Sequence, residues 1–341
     1  MIPLNKPLDI ADFADADFVA LLREIFPHEL SRFGPGWPGG REYRKDWEVG
    51  MSVLALRQGG VLRPDARILG VGAGHEPTIF FLTTQVGEVH ATDLYLPEPP
   101  VREEPALRLR LRTLVRAAMD VIRAPRSLPQ PPGTWGDSAS ARMFVDPGRY
   151  WPGAWNPRRL VAQHMDGLDL RYESDTFDGI FSSGSIEHFG GHAEVRRAVR
   201  EMARVLKPGG VLTVSTEYRL DGPGPGLPGI LMFDEAELLE HIVDASGLVP
   251  MDRFDPRHPP AVAASAQPLS EMSENVRAHV AEHGEILYDK LTWPEYPAVA
   301  LRHGERIWTS CHLALRKPVR EPPHGTVPDE PGSVTADAIK P

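Results

Sequence analysis

The chain of 341 residues contains one cysteine, Cys311, so an internal disulfide is excluded. Cys311 lies in the apolar-alternating run Trp308-Thr309-Ser310-Cys311-His312-Leu313-Ala314-Leu315 and reads as a buried strand residue, not a nucleophile. Long apolar runs are missing too: nothing approaches the roughly 18 uninterrupted apolar residues of a membrane span. The opening Met1-Ile2-Pro3-Leu4-Asn5-Lys6-Pro7 lacks the basic start and apolar core of a signal peptide, so a cytoplasmic location without a membrane partner is expected. Positive charge is also in short supply, with 37 Lys and Arg against 47 Asp and Glu and a net charge of −10. Phosphate binding rests on clustered Lys and Arg, so this balance argues against nucleic acid as the main partner and for a small-molecule substrate. The Arg-rich stretch 102–126 also holds Glu103, Glu104 and Asp120 and reads as a solvated amphipathic face.

What is present is an alternation of short apolar strands and helical segments. Residues 1–60 read as an N-terminal helical cap, with apolar helical spacing over 18–26, a Gly/Pro break at 34–40 and a second helix over 43–58. Ala66-Arg67-Ile68-Leu69-Gly70-Val71 is a strand that feeds a glycine turn and a helix opening at Pro77, a residue suited to a first helical turn. Further strands are expected at 88–93, 160–164, 177–182 and 211–216. Lys207-Pro208-Gly209-Gly210 is expected to stop the helix 193–206 before the last of these. Asp234 suits the N-cap of a helix over 235–245, with Gly247 as its stop. Such alternation implies an α/β fold with a doubly wound, mostly parallel sheet covered by helices on both faces. The main domain spans 61–317. Insertions at about 94–159 and 256–306 are too long for plain connections and suit a lid or substrate pocket, and the tail 318–341 has the Pro/Gly/acid composition of disorder.

In an open α/β sheet, ligands bind at the carboxyl ends of the strands, where a glycine turn lets backbone N–H groups approach closely. Gly72 and Gly74 occupy that place. A nicotinamide enzyme uses such a turn as well, but its fingerprint wants a third Gly or Ala where this chain has Pro77. Asp93 ends the second strand, 19 residues beyond Gly74, where a carboxylate can accept both hydroxyls of a ribose. Asp166, followed by Gly167, ends the next strand; it suits either the exocyclic amine of an adenine or a plain Asx turn.

Taken in order, Ile68-Leu69-Gly70-Val71-Gly72-Ala73-Gly74, Ala91-Thr92-Asp93, Met165-Asp166-Gly167, Thr176-Phe177-Asp178-Gly179-Ile180-Phe181-Ser182-Ser183 and Lys207-Pro208-Gly209-Gly210 resemble the class I methyltransferases of small molecules. The 12-residue step from Asp166 to Asp178 keeps that family's spacing. The resemblance covers about 66–255, with 308–317 similar to its antiparallel last strand, and it implies a seven-stranded sheet and S-adenosylmethionine as cofactor. By resemblance, Gly72 and Gly74, with Gly70 and Ala73 in the same loop, border the methionine part. Asp93, with Leu94 beside it, holds the ribose; Asp166 and Gly167 frame the adenine; Ser182 and Ser183 meet the methionine end. The family usually has an acid at the position of Gly70 and often a glycine at that of Glu76, so Glu76 either closes the loop differently or replaces the missing acid.

Methyl transfer from a sulfonium is an in-line displacement that mainly needs alignment in a dry pocket. A hydroxyl acceptor must also lose a proton, and Ile186-Glu187-His188-Phe189 lies just beyond the fourth core strand, where the acceptor belongs. His188, with an ordinary pKa of about 6.5, is the candidate base and Glu187 its alternative, although both also suit the start of a helix. His188 and His192 stand four apart, a spacing open to a divalent metal, but Gly190-Gly191 between them argues against a regular helix and no metal is assigned. Tyr150, Trp151, Trp155 and Tyr218 are further pocket candidates or ordinary packing. In 43–48, Trp47 reads as packing on the sheet, while the segment could also cover the cofactor. Two other readings stand beside a methyltransferase: a dinucleotide-dependent oxidoreductase, and a non-catalytic cofactor-binding protein with the same fold.

Overall fold

The computed structural model describes residues 2–95, 140–287 and 290–319. The Arg-rich stretch, most of the first insertion and nearly all of the tail lie outside these. The described strands are β1 (Lys6–Pro7), β2 (Arg67–Val71), β3 (Glu88–Asp93), β4 (Leu160–His164), β5 (Phe177–Ser183), β6 (Leu206–Arg219), β7 (Val249–Pro250), β8 (Gln267–Pro268), β9 (Ala300–His303) and β10 (Arg306–Arg316). They form one sheet in the order β4-β3-β2-β5-β6-β10-β9-β8, with β1 and β7 also paired to β10. The stretch from β4 to β6 is parallel, and β10 runs antiparallel to β6. Chain order reverses between β2 and β5, the switch point where an α/β sheet opens a crevice for ligands at its carboxyl ends.

The expected seven-stranded core is there as β4, β3, β2, β5, β6, β10 and β7. Three short strands are added: β1 from the N-terminal segment, and β8 and β9 from the second insertion. One boundary differs from expectation. Lys207-Pro208-Gly209-Gly210 does not separate helix from strand but lies inside β6, where the pairing with β5 shifts register between Phe177 and Gly179. The reason is a backbone exchange with the chain after β10: Gly209 N donates to Lys317 O at 2.8 Å, and Lys317 N to Gly210 O at 3.0 Å.

Helices cover both faces because side chains alternate along each strand. Ile68, Phe181 and Val211 join a core with α1 (Ala16–Ile25), α2 (Pro27–Phe33), α3 (Arg44–Gln58) and α4 (Pro77–Gln85). Leu69, Val71, Ile180, Leu212 and Val214 join the opposite core with α5 (His192–Val205) and α6 (Glu235–Leu238). Helix starts follow local chemistry. Asp15 caps α1 through Asp17 N and Phe18 N, Pro77 opens α4, and Asp234 with Glu237 closes a capping box on α6. The turn after α6 widens to a π-helical stretch over Leu239–Asp244, and Gly247 at φ 66° ends it. Trp47, fully buried, donates its indole N–H to Asp12 at 2.8 Å. Cys311 is buried in β10 as its alternation implies. Among the described residues, no helix is long and apolar enough to cross a membrane.

Candidate functional site

The loop after β2 turns through Gly72 at φ 64° and Gly74 at φ 51°. At Gly72 a Cβ would sit 2.6 Å from that of Ser185, so the position admits glycine alone. Asp93 at the end of β3 accepts from Gly74 N at 2.8 Å and from Leu94 N at 2.6 Å. Burial raises its carboxyl above the ordinary carboxylate range, and these two N–H groups oppose the rise. The ends of β3 and β4 are tied by Met165 N donating to Asp93 O at 3.0 Å. Asp166 is exposed and accepts from Leu168 N at 2.9 Å, an Asx turn. Leu94 is 48% exposed beside Asp93.

One residue the sequence reading did not single out joins these parts. The Phe189 ring lies where a Cβ on Gly72 or on Gly167 would touch it, at 3.2 and 2.9 Å, so it bridges the two glycines. The serines at the tip of β5 part company: Ser183 Oγ meets Ser52 Oγ of α3 at 3.3 Å, whereas Ser182 Oγ is buried without a partner.

Gly70 explains its own departure from the family pattern. A Cβ there would lie 2.5 Å from the Phe181 ring and 2.8 Å from Ala73 Cβ, so the ring fills the space an acidic side chain would need. Overpacking a tight core position costs about 1–3 kcal/mol. Gly70→Ala should therefore destabilise the fold by about that much in denaturant unfolding. Adding Phe181→Leu should return part of the loss; strictly additive costs would show that the ring is not the obstacle.

Beyond the tip of β5, polar side chains of α3, β6, β10 and the segment 186–188 meet. Arg44 of α3 grips Glu217 of β6 with two bonds of 2.6 and 2.7 Å and reaches Ser310 Oγ of β10 at 3.2 Å. Ser310 Oγ in turn donates to Glu48, which also takes the Lys45 ammonium at 2.8 Å. Lys45 Nζ lies over Gly184, only 2.3 Å from where a Cβ would stand, and Gly184 has φ 58°. Glu187 is 1% exposed; Thr216 Oγ1 donates to its Oε2 at 3.0 Å, and its Oε1 has no hydrogen-bond partner. Burial and then the Glu217 charge raise the Glu187 carboxyl well above the ordinary range. Burial also pushes Glu217 up, but the Arg44 guanidinium outweighs it and keeps that carboxyl ionised.

His188 stands at the rim of this group. Its Nδ1 is 3.0 Å from Gly229 O, which fixes that nitrogen as the N–H donor and leaves Nε2 with its lone pair, 3.9 Å from Glu187 Oε1. Burial lowers the imidazole pKa, against the opposing pull of that carbonyl. His192 is not brought to His188: after Gly190 at φ 127° it starts α5 and packs its ring 4.2 Å from that of His241.

The aromatic candidates divide as well. Trp151 stacks on Phe80 at 6.0 Å and Trp155 meets the same ring edge-on at 5.5 Å, so both are core packing under α4. Tyr150 instead lies 4.2 Å from the ring of His75 in the glycine loop, and its hydroxyl donates to Glu285 at 2.6 Å. Tyr218 is buried between Phe254 and His258.

A family model described as a methyltransferase domain matches residues 152–214. The human protein named probable tRNA methyltransferase 9B is 47% identical over 57 residues, which are 17% of this chain and 13% of that protein. Its mouse counterpart is 47% identical over 49 residues, 14% of this chain and 11% of that protein. The chain thus spans about an eighth of the length of these curated relatives. Among solved structures, geranyl diphosphate C-methyltransferase from Streptomyces coelicolor A3(2) is 12% identical with a TM-score of 0.43, covering 92% of this chain and 88% of that one. The [4+2]-cyclase SpnF is 17% identical with a TM-score of 0.43, covering 89% and 96%. The chain thus carries a segment similar to a methyltransferase domain within a Rossmann-like α/β sheet, with the glycine loop after β2, Asp93 at the end of β3 and an antiparallel β10.

Proposed function

We propose that this chain transfers the methyl group of S-adenosylmethionine to an oxygen or nitrogen of a small polar metabolite, sugar or natural product. The observation that carries this reading is His188: its Nδ1–H is held by Gly229 O, its lowered pKa keeps the ring neutral at pH 7, and Nε2 is free to take a proton. The net charge of −10 supports a small acceptor over a polyanion. The residues named for the cofactor keep the parts given above: Asp93 for the ribose, Asp166 and Gly167 for the adenine, and Gly72 to Gly74 for the methionine end. The cofactor supplies an electrophilic methyl on sulfonium; this chain's work is to align the acceptor, exclude water and take up its proton.

The reading is tested by incubating the protein with methyl-labelled cofactor and panels of small hydroxyl and amine compounds, with total tRNA as a parallel arm. Transfer to tRNA alone would overturn it. Asp93→Ala should weaken binding of S-adenosylhomocysteine by about 1–3 kcal/mol in calorimetry, the cost of leaving buried polar partners unmet. Unchanged affinity would remove Asp93 from the cofactor site.

A further inference from the structure

Three observations converge on Glu76. First, the acid that the family places in β2 has no room at Gly70, because the Phe181 ring stands there. Second, the carbonyls along the loop already accept a hydrogen bond each: Gly70 O from Thr92 Oγ1 at 2.8 Å, Gly72 O from Ser185 Oγ at 2.6 Å and Gly74 O from the Tyr95 hydroxyl at 2.6 Å. Third, Glu76, two residues past Gly74 at the start of α4, does not cap its helix with its side chain. Its Oε1 is shut off from solvent without a hydrogen-bond partner. A buried carboxyl oxygen left unmet costs stability unless a ligand meets it. The cofactor's amino-acid end carries an ammonium and a carboxylate, and within electrostatic reach of Glu76 stands Lys45, whose ammonium is held by Glu48 and lies over Gly184 at the tip of β5.

Resting on the cofactor reading above, we propose that Glu76 replaces the acid missing at Gly70 and receives the cofactor's α-ammonium, with Lys45 facing its α-carboxylate. Burial pushes the Glu76 carboxyl up to about 8; the neighbouring Thr78 hydroxyl and then Lys45 oppose the rise, and Glu48 of α3 and Asp93 of β3 add to it. In the free protein at pH 7 the group therefore holds a proton. An ammonium arriving at Oε1 favours the ionised form, so the proton leaves to solvent as the ligand binds.

Calorimetry with S-adenosylhomocysteine, and with its analogue lacking the α-amino group, tests this on wild type and Glu76→Gln. Wild type should bind S-adenosylhomocysteine roughly 10- to 100-fold more tightly than Glu76→Gln does, the scale of a hydrogen bond to a charged group. The two proteins should bind the deaminated analogue alike. Titrations at pH 7 in buffers of different ionisation heat should show proton release approaching one per ligand in wild type and none in Glu76→Gln. Equal affinity of both proteins for S-adenosylhomocysteine would overturn the assignment while leaving the cofactor reading intact. Equal losses for both ligands would do the same, by showing that Glu76 only shapes the loop. Release that persists in Glu76→Gln would place the proton elsewhere and also overturn it. If wild type binds neither ligand, the cofactor reading itself fails.

Discussion

Replacing His188 by alanine should lower turnover about 10²- to 10⁴-fold, the usual contribution of a positioned general base, while the affinity for S-adenosylhomocysteine stays unchanged. The two halves of that expectation separate chemistry from binding. The link from His188 to the glycine loop runs through its backbone, whose N–H donates to Ser185 O, and the alanine keeps it; the imidazole itself meets Gly229 O, with the Glu187 carboxyl 3.9 Å away. A loss of cofactor affinity would therefore mean that the alanine had disturbed Phe189, the next residue, which bridges Gly72 and Gly167. The pH profile gives a second readout. Burial places the His188 pKa below its ordinary 6.5, so the ring is the unprotonated, competent form at neutral pH and activity should fall as pH drops below about 6.5. That acid limb should vanish in the alanine variant, and a limb that survives would assign proton uptake to another group.

How much of this was legible beforehand depended on whether the signal was local. The glycine turn, Pro77 at the head of α4, the Asp234 cap and the Gly247 stop are each set by the chemistry of a few adjacent residues, and each stands where the sequence puts it. The strand ends at Asp93 and Asp166 were readable by spacing. Readings that hinge on distant partners fared differently. Trp151 and Trp155 were open to either a pocket or ordinary packing, and only their contacts with Phe80 decide for packing. The short strands β1, β8 and β9 are too brief for any alternation to register. Phe181 blocks Gly70 across two neighbouring strands, so the missing acid was visible while its cause was not. Arg44 and Glu217 lie 173 residues apart and Ser310 and Glu48 lie 262 apart, and no periodicity links such positions.

That long-range pair yields the largest stability effect expected in the molecule. Arg44→Met removes the guanidinium that meets both oxygens of Glu217, leaving that carboxylate buried without its cation, while Glu48 keeps Lys45 at 2.8 Å. Breaking a buried pair from one side costs about 3–5 kcal/mol, because the desolvation of the abandoned charge is no longer offset. Removing both sides in Arg44→Met/Glu217→Gln should cost clearly less than the single change. The pH dependence has a definite sign. Glu217 is held below its ordinary value, so it contributes stability that is complete above the unfolded carboxylate range and is lost as pH falls through the lower folded value. The penalty of Arg44→Met, read by denaturant unfolding, should therefore be largest at pH 7 to 8 and shrink in acid, where Glu217 can be protonated in the variant. A penalty under about 1 kcal/mol that ignores pH would show that solvent already relieves the pair. The pair joins the first turn of α3 to β6 and β10, and the next residues of that turn, Lys45 and Glu48, converge over Gly184. An unpaired Glu217 would thus loosen the wall beside Glu187 and His188. Turnover in Arg44→Met should fall even under conditions where the variant remains folded.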